Sequence, residues 1–193
     1  METVRDRGFT LVEMMIALVV LAVLILVAAP AFTKLIKDNR MLSEVYGLRA
    51  ALNNARSEAL AQRTFVTLCR SDDGLTCSGA EWDAGFIAFT DQNGDGTVDD
   101  PNDPDGDDIF VTKIIDSSGL EKFTFSNGVN RVRFDSRGFA RGFEGTFTLC
   151  DDRNAPDARG VIVTAGGIVR AAVEDPNNPG VVIDHEGNDL DCS

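Results

Sequence analysis

Arg7-Gly8-Phe9-Thr10-Leu11-Val12-Glu13 leads into an uncharged run from Met14 to Phe32. Read as helix, this run rises about 1.5 Å per residue and spans about 28 Å, close to the ~30 Å hydrocarbon core of a bilayer. It is longer than the roughly 7–15 apolar residues of a cleaved secretory signal, so the reading is export with the apolar segment retained. The flanking charges, Arg5 and Arg7 before it and Lys34, Lys37 and Arg40 after it, do not set its orientation. The cysteines do. Cys69, Cys77, Cys150 and Cys192 form no C-x-x-C pair, which favours two disulfides in an oxidising compartment over a zinc site and puts the C-terminal side outside. Of three pairings, Cys69–Cys77 across a Gly-containing turn and Cys150–Cys192 across the chain end are preferred. Chain entropy values them at roughly 2.5 and 4 kcal/mol.

Glu13 stands out in this apolar setting, where a carboxylate costs roughly 2.5–3.5 kcal/mol without a partner. Two readings are open: an interfacial acid at a helix N-terminus, favoured by the helix dipole, or a charge kept for another subunit, such as a free amino terminus.

Composition narrows the function classes. The 193 residues are 44% apolar and 25% charged, as in a folded chain of one domain with an appendage. A net charge of −13 argues against nucleic acid or an acidic membrane surface as an electrostatic partner. The single histidine, His185, excludes multi-histidine metal sites and sits in a Gly/Asn/Asp-rich tail between Asp184 and Glu186. No spacing brings Ser57 or Ser136 to it, and nothing marks Asp83 and Asp135 as a catalytic pair. The expectation is a non-enzymatic protein with no catalytic residues.

Past Pro30 the chain turns amphipathic. Leu35, Leu42, Val45, Leu52, Ala55 and Ala59 recur at helical spacing among charged residues, predicting one helix from about Phe9 to Gln62 whose second half lays a face on a domain. From Thr64 the texture is short β-prone segments between turn residues. The expected strands are 65–70, 86–90, 109–115, 129–135, 146–150, 160–164 and 168–173. The fold class is therefore α+β: a long N-terminal helix, membrane-spanning in its first half, packed on a head of antiparallel sheets.

Arg7-Gly8-Phe9-Thr10-Leu11-Val12-Glu13, the apolar run and Pro30 closely resemble the class III signal of type IV prepilins and type II secretion pseudopilins. The resemblance implies cleavage after Gly8 by a prepilin peptidase, N-methylation of Phe9, and Glu13 as the fifth residue of the mature chain, paired with the amine of a neighbouring subunit. It also implies that the helix bends or melts at Pro30. One departure is that Glu2 and Asp6 cancel the leader's arginines. Further on, Arg56-Ser57-Glu58-Ala59, Leu68-Cys69-Arg70, Trp82-Asp83-Ala84-Gly85-Phe86 through Gly96, Phe134-Asp135-Ser136-Arg137-Gly138-Phe139-Ala140 and Leu149-Cys150-Asp151 resemble the GspH/FimT family, in particular FimT- and FimU-type minor pilins. The implied organisation is a leader (1–8), a transmembrane and filament-core helix (9–32), an amphipathic helix (33–63) and a β-rich head (64–193).

Two binding sites are weighed. Asp91, Asn93, Asp95 and Gly96 match positions 1, 3, 5 and 6 of an EF-hand loop and Asp99 matches position 9, an oxygen set suited to Ca²⁺. Position 12 is Asn102 where the motif has a bidentate Glu, and the alternative is a solvated hairpin turning at Asn93-Gly94. Eight acids between Asp91 and Asp108 carry most of the chain's net charge. Some FimT-type minor pilins bind DNA through a Gly-Arg-x-Arg element. The matching place here is Gly167-Ile168-Val169-Arg170, where isoleucine replaces the first arginine, and nucleic acid is not expected even though Arg131, Arg133, Arg137, Arg141, Arg153 and Arg159 could cluster. The expected function is a minor type IV pilin that primes or caps pilus assembly in a tip complex, without cofactor apart from a structural Ca²⁺. Its expected partners are other minor pilins, the major pilin, the prepilin peptidase and the inner-membrane assembly platform. Its expected location is the inner membrane, single-pass with a periplasmic head, and then the pilus tip. A GspH-like pseudopilin of type II secretion and a DNA-binding minor pilin are the alternatives.

Overall fold

Beyond Thr10 the sequence gives a helix little reason to stop, and α1 runs Leu11–Gln62 with Pro30 inside it. The computed structural model describes residues 10–104, 106–115, 119–153 and 157–192; the leader, Gly8 and Phe9 lie outside the described residues. Pro30 removes one N–H from the helix ladder, yet helical backbone continues on both sides, so no melting occurs there. Ala28, Ala29 and Ala31, among the best helix formers, favour helical backbone around it. The helix ends at Arg63, a non-glycine residue in the left-handed region at φ 57°.

The chain forms two compact units, one ending at Asn39 and one starting at Arg40. In the first, the large apolar side chains face outward: Leu18 is 65% exposed and Phe32 64%. In the second, α1 buries Met41, Val45, Leu48, Leu52, Ala55 and Ala59, an alternation of four- and three-residue steps that keeps one stripe inward. This corrects the expected stripe. Leu42 lies one residue, about 100° of rotation, off that line and is partly exposed, while Leu35 precedes this unit and is exposed.

The strands are β1 (Phe65–Arg70), β2 (Gly85–Asp91), β3 (Ile109–Ile114), β4 (Lys122–Phe125), β5 (Arg131–Phe134), β6 (Gly145–Cys150), β7 (Arg159–Val163), β8 (Val169–Ala171), β9 (Val173–Asp175) and β10 (Asn178–Ile183). They make two four-stranded sheets, ordered β3-β2-β1-β5 and β4-β6-β7-β8, and a separate β9–β10 hairpin. All of the strand pairs are antiparallel. Seven segments were expected and seven strands lie on them; β4, β9 and β10 were not foreseen. Lys122-Phe-Thr-Phe125 is only four residues long, and β10 contains Pro179 and Gly180, which read as a turn. Pro179 is tolerated because a two-stranded hairpin is all edge.

Period-two alternation divides the first sheet. Val66, Leu68, Phe86, Ala88, Val132 and Phe134 join the α1 stripe in the main core, together with Phe123, Phe125, Phe147, Leu149, Val161 and Val163 from the second sheet. Trp82 meets Phe147 edge-on at 4.9 Å, and Phe147 stacks on Phe125 at 4.2 Å, so an aromatic cluster fills the space beneath the second sheet. On the outer face of the first sheet, Cys69, Ile87 and Phe89 are covered by Cys77 and Val98, which come from the two loops flanking β2. Gly85 starts β2 at φ +140°; a Cβ there would lie 2.4 Å from the Lys113 carbonyl oxygen, so no other residue fits without moving β3.

Candidate assembly site

The head of α1 is closed by a reciprocal contact. Thr10 Oγ1 accepts the Glu13 N–H at 3.2 Å, and Glu13 Oε2 accepts the Thr10 N–H at 2.9 Å and the Thr10 hydroxyl at 3.0 Å. The Met14 N–H donates to the Thr10 carbonyl, which makes Thr10 the N-cap and Glu13 the third helical residue: a capping box. Thr10 is a site residue that the sequence reading passed over, although Thr-x-x-Glu before an apolar run is its signature. The box gives the Glu13 carboxylate two donors, and beyond it the large apolar side chains from Met14 to Leu26 are left more than half exposed by the described residues. A helix that is apolar all round and left uncovered by the described residues suits a setting of lipid or other helices.

The acidic loop does not form a closed metal cage. Asp91 is fully buried; its Oδ2 accepts the Thr67 hydroxyl at 2.5 Å, and its Oδ1 has no hydrogen-bond partner. The Asn93 amide nitrogen donates to Asp99 Oδ2 at 2.7 Å and to Asp95 Oδ2 at 3.4 Å. Thr97, through its hydroxyl and its N–H, holds the Asp95 carboxyl below its ordinary range. Asp107 ties the loop together by accepting the N–H groups of Gln92 and Asp99. Burial, joined by the charges of Asp91 and Asp99, pushes the Asp107 carboxyl upward against those two hydrogen bonds. Among the described residues no three His, Cys, Asp or Glu side chains are grouped to hold a metal ion.

Most of the arginines weighed as a basic patch have partners within the head, while Arg137 and Arg141 stay exposed. Arg133 donates to the Gly94 carbonyl and lies 5.0 Å from the centre of the Phe65 ring and 5.4 Å from that of Phe143. Arg137 and Arg141 cover Phe139, and Arg137 lies 3.7 Å from Asp135. Arg153 pairs with Asp151 and Asp157, and Arg159 donates to the carbonyls of Asp157 and Ala158. Arg131 packs against Gly96 beside Asp95. His185 Nδ1 lies 3.1 Å from the Thr146 hydroxyl, a contact that fastens the C-terminal tail to the second sheet.

Two disulfides, Cys69–Cys77 and Cys150–Cys192, lie in the head. The second anchors a satellite cluster of Cys150, Ala158, Val182 and Leu190, against which Ala172 and Cys192 pack.

Comparison with known proteins agrees with this architecture. Residues 45–167 match the family described as type II transport protein GspH, and residues 4–29 match the prokaryotic N-terminal methylation motif. The type IV narrow pilus major component PilA5 of Thermus thermophilus is 30% identical over 82 residues, 40% of this chain and 70% of that protein. The type IV minor pilin FimU of Pseudomonas aeruginosa superposes with a TM-score of 0.52 at 20% identity, over 70% of this chain and 90% of that one. A second crystal form of FimU gives 0.50 at 19% identity, over 68% and 92%. At that identity the likeness is one of fold: a long N-terminal helix and a head of antiparallel sheets.

Proposed function

Because the chain belongs to the GspH family of type II transport proteins, we propose that it is a minor type IV pilin that primes or caps pilus assembly as part of a tip complex. The observation that carries this reading is the head of α1: one carboxylate at the start of a lipid-length apolar helix whose large side chains the described residues leave exposed. Cleavage after Gly8 frees the amine of Phe9, which is then N-methylated, and Glu13 exchanges its Thr10 donors for the amine of a neighbouring subunit. The anchor is 9–32. It holds the protein in the inner membrane with the head in the periplasm until the assembly platform lifts it out among the major pilin and the other minor pilins. None of these steps asks the protein to make or break a covalent bond.

The test is the quantity of surface pili sheared from a deletion strain, with the gene or its Glu13→Ala variant returned. Pili restored by the native gene and not by E13A, with both heads melting alike, is the expected result. Normal piliation in the deletion strain would reject a priming role. Unaltered electrophoretic mobility of a Gly8→Glu variant in a strain with active prepilin peptidase would reject processing after Gly8.

A second reading, a pseudopilin of type II secretion, is favoured by the description of the family itself. It predicts normal pili and a fall in secreted enzyme in the same strain. DNA binding draws no support from the motif position: Ile168, at the place of the first motif arginine, is exposed, and Arg133, Arg153 and Arg159 are engaged within the head.

A further inference from the structure

We propose that the loop after β2, whose acids are not grouped into a ready-made metal site among the described residues, gathers around one Ca²⁺ through Asp91, Asn93, Asp95 and Asp99. The first observation is the convergence of three of these side chains. The Asn93 amide lies between the carboxylates of Asp95 and Asp99 at 3.4 and 2.7 Å, whereas neighbouring oxygens around a cation with 2.3–2.6 Å bonds sit about 2.8–3.4 Å apart. Turning that amide places oxygen where nitrogen now stands, at the expense of the bond it accepts from the Asp95 N–H. Gly96, at position 6 of the pattern, has φ +79°, the left-handed turn such a loop requires at that point.

The second observation is independent of the loop's own hydrogen bonds. Asp91 belongs to the outer face of the first sheet, over which Val98 of this loop packs, and it is fully buried with Oδ1 bonded to nothing. A buried carboxylate oxygen left without a donor is costly and uncommon in folded proteins. Thr67 satisfies only its other oxygen. A cation seated under the loop supplies what Oδ1 lacks and offsets the mutual repulsion of the acids around it. Calcium fits better than magnesium because its coordination geometry is variable, whereas magnesium demands a near-ideal octahedron of shorter bonds. Without a bidentate acid at position 12, the affinity belongs to the weak class of extracellular modules, with Kd about 10⁻⁴–10⁻³ M. That is the range a head facing away from the cytosol would meet.

The experiment is thermal unfolding of the full chain in detergent micelles, followed by the fluorescence of Trp82, the single tryptophan and a buried one. Saturating Ca²⁺ is expected to raise the midpoint over the EGTA-treated sample by about 5 °C, and calorimetry is expected to count one ion per chain. Asp95→Asn, at an exposed position, and Asp91→Asn should each abolish the rise; D95N keeps the test valid if D91N fails to fold. Native protein whose midpoint is unmoved by 10 mM CaCl₂ would overturn the proposal. So would an equal rise with MgCl₂, or a rise that survives D95N, since either result assigns the effect to general screening of the acidic loop.

Discussion

Asp73 shows how much a single carboxylate can organise. It sits inside the Cys69–Cys77 loop and accepts the N–H groups of Leu75 and Thr76 and the hydroxyls of Thr76 and Ser71. Those bonds, the Leu75 N–H first, hold its carboxyl far below the usual range. The sign follows from linkage. Its contribution is complete above the unfolded value near pH 3.9 and is lost as pH falls through the folded one. Acid titration of stability below about pH 4 should therefore be shallower in Asp73→Asn than in the native protein, and denaturant midpoints at several acidic pH values read this directly. At the end of α1, Arg63 occupies a conformation that costs a side-chain-bearing residue roughly 1 kcal/mol or more. Arg63→Gly should stabilise the head by about 0.5–1 kcal/mol, measured by chemical denaturation of the two proteins side by side.

Among elements, the long helix was legible because its signals are local and redundant: an apolar run without interruption, then charges at helical spacing. Its buried stripe was read less well. Leu42 and Leu48 are equally apolar, and only the phase set by Met41, Val45 and Leu52 decides which of them faces inward. Seven of the eight strands in the two sheets around the main core were visible as β-branched and aromatic runs; the four-residue β4 was too short to show. The β9–β10 hairpin was not visible, because Asn-Pro-Gly advertises a turn and the tail's order comes from Leu190, Val182 and a disulfide rather than from propensity. The site was legible in the same uneven way. Glu13 announced itself as a charge in an apolar setting, whereas its partner Thr10 looked ordinary. The EF-like spacing was plain, but burial of Asp91 and Asp107 depends on how the loop lies over the sheet. The disulfides permit a graded prediction. Cys77→Ser should cost about 2.5 kcal/mol and Cys192→Ser about 4, since the second bond closes the longer loop. Unfolding in urea under oxidising conditions compares them, and the reverse order would show that strain or packing outweighs chain entropy.

At the scale of the whole molecule, the chain has one apolar helical segment that water does not suit and one loop whose eight acids equal eight of its thirteen net negative charges. The first suits a setting of lipid or other helices; the second contributes to the self-repulsion that accompanies a net charge of −13. Glu13→Ala leaves the buried set from Met41 onward untouched, so the head's unfolding free energy should change by less than about 0.5 kcal/mol while filament incorporation fails. The Cys150–Cys192 bond has a mechanical corollary. Its inner end lies on β6, which is flanked on both sides by β4 and β7. Tension applied at the carboxy-terminal end enters the sheet at an interior strand by way of a covalent link. The terminal tail past Cys150 therefore cannot be peeled away one contact at a time, and any pull strong enough to free it must first drag β6 out from between its neighbours.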